Sequence, residues 1–158
     1  MRRKSYVLIV FAAFFAALAV APAALAAQRG GAALTLLRAM NAARASYGLR
    51  PFHVDSRLRV AAQSHSTDML RRNYFAHGDF PGRMAAFHIQ APAAGENLAW
   101  GSGAYGTAQT IVQEWLASPE HRANLLRPGF TRIGIGIARG TFLGNGGASV
   151  VTADFAGR

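Results

Sequence analysis

The sequence predicts an α+β layered domain in which helices come first and an antiparallel sheet comes last. Three observations carry this. Apolar residues recur at helical period across residues 33–47, 56–72 and 107–117. Near the end, Ile133, Ile135 and Ile137 alternate with Gly134, Gly136 and Ala138, which is the period of a strand. No cysteine occurs in 158 residues, so no disulfide assists and the core alone must stabilise the fold.

The chain begins as an export leader. Met1-Arg2-Arg3-Lys4 is basic, Tyr6 to Ala21 is nearly all apolar, Pro22 breaks the run, and Ala24-Leu25-Ala26 has the small-x-small form of a signal peptidase site. Residues 1–26 are therefore read as a signal peptide. Arg2-Arg3 lacks the rest of a twin-arginine pattern, which points to the general secretion route. An uncleaved anchor is the competing reading of the same run. With the leader cut, no transmembrane span is expected. The destination is extracytoplasmic: secreted, periplasmic or on the cell envelope.

Cleavage removes Arg2, Arg3 and Lys4 and lowers the formal charge from +10 to +7. The remaining positives are all Arg and are scattered, with no basic run, so nucleic acid is not an expected partner. A genome favouring Arg over Lys explains them; attraction to an anionic envelope surface is the sharper alternative. Residues 27–32 are read as a flexible lead-in and 33–158 as one domain, expected to be a monomer.

Leu36, Met40, Ala43 and Tyr47 define the first helix, and Gly48 ends it as a left-handed cap. Asn41 and Arg44 share a face and are read as a tether for a neighbouring loop. The second helix runs from Ser56 to Arg72 with Asp55 as N-cap. Its stripe is Leu58, Ala62, His65 and Met69, so His65 is read as a core histidine whose tautomer Asp68 could fix. From Asn73 to Ala94 aromatics, Gly and Pro break the pattern, apart from a short helix at 83–88. Loops this long in a small domain are usually functional. His88 is read as surface.

A third helix over 107–117 carries Ala108, Ile111, Val112 and Trp115 on one face. Ser118-Pro119 then caps and restarts a short helix holding His121 and Asn124. On the Ile133 strand the Gly face is nearly bare, so a helix backbone is expected close against it. Asn145-Gly146 reads as a tight turn before a closing strand over 148–155.

The stretch Gly95-Glu96-Asn97-Leu98-Ala99-Trp100-Gly101 is the candidate centre. Its apolar run should be buried and should draw Glu96 inward, where a carboxylate needs donors. His77, after Tyr74-Phe75, and His121, after Ser118-Pro119, are the expected partners. The three side chains are expected to meet in one cleft walled by the 73–106 loops.

These motifs resemble those of the CAP superfamily (cysteine-rich secretory proteins, antigen 5, pathogenesis-related 1; the SCP domain), in its cysteine-free bacterial branch. The resemblance rests on Asn41-x-x-Arg44 with Gly48-Leu49-x-Pro51; His65-Ser66-x-Asp68-Met69; Tyr74-Phe75-x-His77; Gly95 to Ala99; Trp115-x-x-Ser118-Pro119-x-His121-Arg122-x-Asn124-Leu125-Leu126; and Phe130-Thr131-x-Ile133 to Gly136. It covers residues 34–155 and implies a three-layer α-β-α sandwich with a small antiparallel sheet.

The resemblance also implies a cavity lined by two His and two acidic residues. His77, Glu96 and His121 match three of them. The fourth position is Ser118 here, and Glu114 and Glu120 are the nearby acids that could replace it. Asn97, Arg122 and Asn124 belong to the same motifs and count as secondary site residues.

Two His and a carboxylate could hold a divalent metal, Zn²⁺ or Mg²⁺, at His77 and His121, although none is required. No Cys is available, and no Ser stands in a strained nucleophile turn. Three functions follow as expectations. The first is a non-enzymatic binding or interaction module taking an apolar, lipid or cell-wall ligand in the His/Glu-lined cleft. The second is a metal-dependent hydrolase with water activated by His77, His121 and Glu96. In the third, the same residues only brace the loops.

Overall fold

The computed structural model describes residues 20–157, and side chains from residue 30 onward. The start of the leader, residues 1–19, lies outside the described residues. The first helix, α1, spans Val20–Ser46, with Pro22 in its first turn, where a missing backbone N–H costs nothing. It begins well before Ala33, so residues 27–32, expected as a flexible lead-in, are helical backbone. Among the described residues no helix is long and apolar enough to cross a membrane.

The other elements follow in order: β1 (His53–Val54), α2 (Ser56–Arg72), α3 (Phe80–Ala86), β2 (Ala93–Gly101), a 3-10 turn at Gly103–Gly106, α4 (Ala108–Ala117), α5 (Pro119–Leu125), β3 (Phe130–Phe142) and β4 (Asn145–Gly157). The sheet has the order β1-β3-β4-β2. It is antiparallel except for the two-residue parallel pairing of β1 on β3.

The sheet is the middle of three layers. Ile133, Ile135, Ile137, Val151, Ala153 and Phe155 face α1 and α4, where Leu36, Met40, Ile111, Val112 and Trp115 complete the main core. The opposite face carries α2. A Cβ on Gly134 would lie 2.0 Å from a Leu58 backbone carbon, and one on Gly136 would lie 2.2 Å from the Ala62 carbonyl oxygen. The bare glycine face is thus the seat of the α2 backbone, as the alternation predicts.

Cap chemistry sets the helix ends. Asp55 accepts from Arg57 and Leu58 backbone N–H groups at the start of α2, and Gly48 is left-handed at φ 67° after α1. Arg44 is fully buried. It donates to the carbonyls of Arg50, Leu125, Arg127 and Phe130 at 2.8–3.2 Å, and lies 3.9 Å over the Phe52 ring. Asn41 closes the same tether by accepting from the Phe52 N–H at 2.8 Å.

Three local expectations shift. The short helix expected at 83–88 begins at Phe80, because Asp79 caps it through the Gly82 N–H. The hairpin turns at Leu143-Gly144, both at positive φ (47° and 81°), while Asn145 pairs with Phe142. Asn73 accepts from the Leu143 N–H at 2.7 Å and holds that turn from the end of α2. Tyr47, expected on the buried stripe of α1, is 49% exposed and receives a hydrogen bond from Arg122.

Candidate functional site

The site forms where strand β2, at one edge of the sheet, separates the two helical layers. Alternation along β2 sends Glu96 and Leu98 toward α2, and Asn97 and Ala99 toward α4 and α5. Two consecutive polar residues therefore serve opposite faces of one strand.

On the α2 side Glu96 is 6% exposed. One carboxylate oxygen bonds His77 Nδ1 at 2.6 Å. The other is ion-paired with Arg83 and stands 3.9 Å from His65 Nε2. Each partner is positioned by its own element. His65 sits on the buried face of α2 and donates from Nε2 to the Ala76 carbonyl at 3.0 Å, which secures the loop just before His77. Arg83, on α3, donates to the carbonyl of His77 at 3.2 Å. Gly78 turns the chain at φ 60°. The His77 side chain is 55% exposed, so the acid is buried while its imidazole meets solvent.

His65 is held below its ordinary pKa, first by burial and then by the Arg83 charge. The Ala76 carbonyl, not Asp68, sets its tautomer. Asp68 instead accepts from Tyr74 Oη at 2.8 Å and pairs with Arg71 and Arg72.

On the other face Asn97 is fully buried and donates to the His121 carbonyl at 2.9 Å. Asn124 donates to Asn97 Oδ1 at 3.0 Å and to the Glu96 carbonyl at 3.2 Å. A Cβ on Gly95 would come within 2.7 Å of Asn124 Oδ1, so this glycine admits α5 to the strand.

His121 is half-buried. Its pKa is lowered by burial and then by the neighbouring His77. It makes no hydrogen bond to Glu96. Of the three side chains expected in one cleft, His77 binds the acid, and His121 stands beside His77 from the opposite layer. Glu114 and Glu120 are both exposed, outside the buried cluster. Arg122 packs on Tyr47, away from it.

Two members of the cluster escape sequence reading. Arg83 lies in a segment whose only local signal is the Asp79 cap. Asp154 lies on β4 directly opposite Glu96. It is fully buried, and its pKa is pushed up to about 8 by burial and then by the Glu96 charge. Its signal was present: the one charged residue of β4, on the face opposite Val151, Ala153 and Phe155.

Among the described residues no group of three or more His, Asp or Glu side chains is arranged to hold a metal ion. His77 and His121 are two imidazoles, while Glu96 is engaged by Arg83 and His77. The set falls short of the three protein ligands of a catalytic zinc site.

A family model for the cysteine-rich secretory protein (CAP) family matches residues 37–155. The chain belongs to the CAP family. Bacillus subtilis YkwD is 40% identical over 101 residues, covering 61% of this chain and 38% of YkwD. The CAP domain here thus spans well under half of that relative. An extracellular SCP-domain protein of Bacillus anthracis superposes with a TM-score of 0.70 at 27% identity, covering 82% of this chain and 41% of that one. An outer surface protein of Borrelia burgdorferi shares the fold, with a TM-score of 0.61 at 21% identity, covering 78% of this chain and 90% of that one. These structural neighbours are extracellular or surface proteins.

Proposed function

We propose that this CAP domain is a secreted, non-enzymatic binding module for an amphipathic envelope ligand, an acyl chain bearing an anionic head. The observation that carries the reading is a cavity of about 450 Å³ between α1, α4 and the sheet. Ligand pockets are typically on the order of 300–1,000 Å³. Leu36, Ile111, Ile137 and Val151 supply apolar wall, while Ser149 and Arg139 supply polar partners and one positive charge. The cavity is remote from His77 and Glu96, so the ligand moves from the His/Glu cleft expected from sequence to the opposite side of the sheet. Only the 101–106 segment belongs to both descriptions.

The cleft itself favours bracing over catalysis. Glu96 is committed to Arg83 and His77, and among the described residues no serine or threonine hydroxyl is hydrogen-bonded to an imidazole. The hydrolase reading keeps one supporting observation, the neighbouring His77 and His121 rings. Stoichiometric zinc in the exported protein, lost in His77→Ala, would revive it.

Native mass spectrometry of protein exported from its own host tests the binding module, together with titration of a long-chain fatty acid. The expected result is a bound amphiphile, or saturable one-to-one binding abolished by Ala108→Trp at the cavity wall. Export without any bound amphiphile, and no saturable binding, would overturn the proposal.

A further inference from the structure

Among the described residues, the buried side-chain polar atoms that lack a hydrogen-bond partner are Arg83 Nε and both carboxyl oxygens of Asp154. They belong to one cluster. Asp154 is fully buried, and orphaned acceptors of this kind are rare in folded proteins because each carries a desolvation penalty.

The groups that face Asp154 or its partner Glu96 are few. Across the β2–β4 pair stands Glu96, and across β3–β4 stands Gly134, which has no side chain to offer. From α3 comes Arg83, held on Glu96. From α2 comes His65, whose Nε2 is committed to Ala76. From the α2–α3 loop comes His77, whose Nδ1 is committed to Glu96. The carboxyl that stands as Asp154's direct cross-strand partner is that of Glu96, also buried. Two carboxylates accept but cannot donate, so a bond between them requires a hydrogen on one.

Charge balance selects which one. Arg83 brings a single fixed positive charge, and Glu96 faces both it and the His77 ring. A second buried negative charge would have no counterion.

We infer that Asp154 is a neutral carboxylic acid in the folded protein, donating its hydrogen to Glu96 and so acting as the positioning residue that orients Glu96 toward Arg83 and His77. The strongly raised pKa of Asp154 agrees with this assignment. Asp154 touches no ligand in this scheme; it acts only through Glu96. Two carboxyl groups sharing one hydrogen is an arrangement that like charges in close contact enforce.

The test is infrared spectroscopy of the intact exported protein at about pH 6.5, where ordinary Asp and Glu, with pKa values of about 3.9 and 4.3, are ionised. Folded wild type should show the carbonyl stretch of one protonated carboxylic acid, absent from Asp154→Asn. Asn can donate its amide hydrogen to Glu96 as the acid does. Asp154→Asn should therefore keep the wild-type melting temperature near pH 6.5, while Asp154→Ala lowers it. Titration of wild type upward through about pH 8 should remove the band. No band in folded wild type, or a band that survives in Asp154→Asn, overturns the assignment. If Asp154→Asn fails to fold, the wild-type band and its loss on titration decide alone.

Discussion

Two buried arginines show how differently one side chain can be used in this domain. Arg44, in the last turn of α1, reaches four backbone carbonyls, stacks on Phe52 and pairs with no carboxylate among the described residues. Arg83, beside the cleft, pairs with Glu96, reaches one carbonyl, and leaves Nε without a partner. The first network joins α1 to the chain leading into β3 and is met by fixed backbone dipoles, which do not titrate. The second is built from side chains that gain and lose protons. The lesson is that a buried cation on carbonyls is a permanent staple, whereas one on carboxyl groups makes the local structure respond to pH.

The largest expected effect tests the staple. Arg44→Met leaves the carbonyls of Arg50, Leu125, Arg127 and Phe130 without their donor. Urea unfolding should register a loss of about 3–5 kcal/mol. Arg44→Lys should recover little, since an ammonium cannot reproduce the planar fork. A cost under about 1 kcal/mol would remove the contrast between the two arginines.

Glu96→Gln should come next. It strands the Arg83 charge and should cost about 3 kcal/mol by the same measurement. An unchanged melting temperature would rule out bracing as the role of the cluster.

Gly134→Ala probes the seat of α2, the layer that carries the Glu96 network. Its new methyl would lie 2.0 Å from the Leu58 backbone, and overpacking of this kind costs about 1–3 kcal/mol. A neutral outcome would mean that α2 can lift from the sheet.

The smallest effect is the pH response within the narrow window above about pH 6.5. Asp154 binds its proton more tightly folded than unfolded, so stability should fall as pH rises from the ordinary carboxylate range to about 8, at up to about 1.4 kcal/mol per pH unit. His65 and His121 run the other way. Their folded pKa values are depressed, so their contribution is lost as pH falls below about 6.5. Urea midpoints measured across this range should therefore decline on the alkaline side above about pH 6.5. That decline should vanish in Asp154→Asn, while the Arg44 staple leaves no pH signature.

The elements that bury a periodic face could be read before any coordinates. The Leu58 to Met69 stripe, the Ile111 to Trp115 stripe and the Ile–Gly alternation depend on helical and strand periods, which are local properties. The caps at Asp55 and Gly48 were legible for the same reason. Strand β2 was not read as a strand. Its pattern mixes Glu96 and Asn97 into an apolar run, and it makes sense only when each face has its own partner.

The candidate site divides in the same way. The family motifs marked His77, Glu96 and His121, but spacing along the chain could not say that Glu96 and Asn97 point to opposite layers. That single alternation keeps His121 off the acid. Asp154 and Arg83 reach the cluster only because β4 pairs with β2 and α3 folds back over the sheet. Sequence by itself determined the apolar faces of α2, α4 and β3 and the caps at Asp55 and Gly48, because those depend on neighbours a few positions away. Tertiary structure alone decided which buried charges share a pocket, because register and layer packing join residues far apart in the chain.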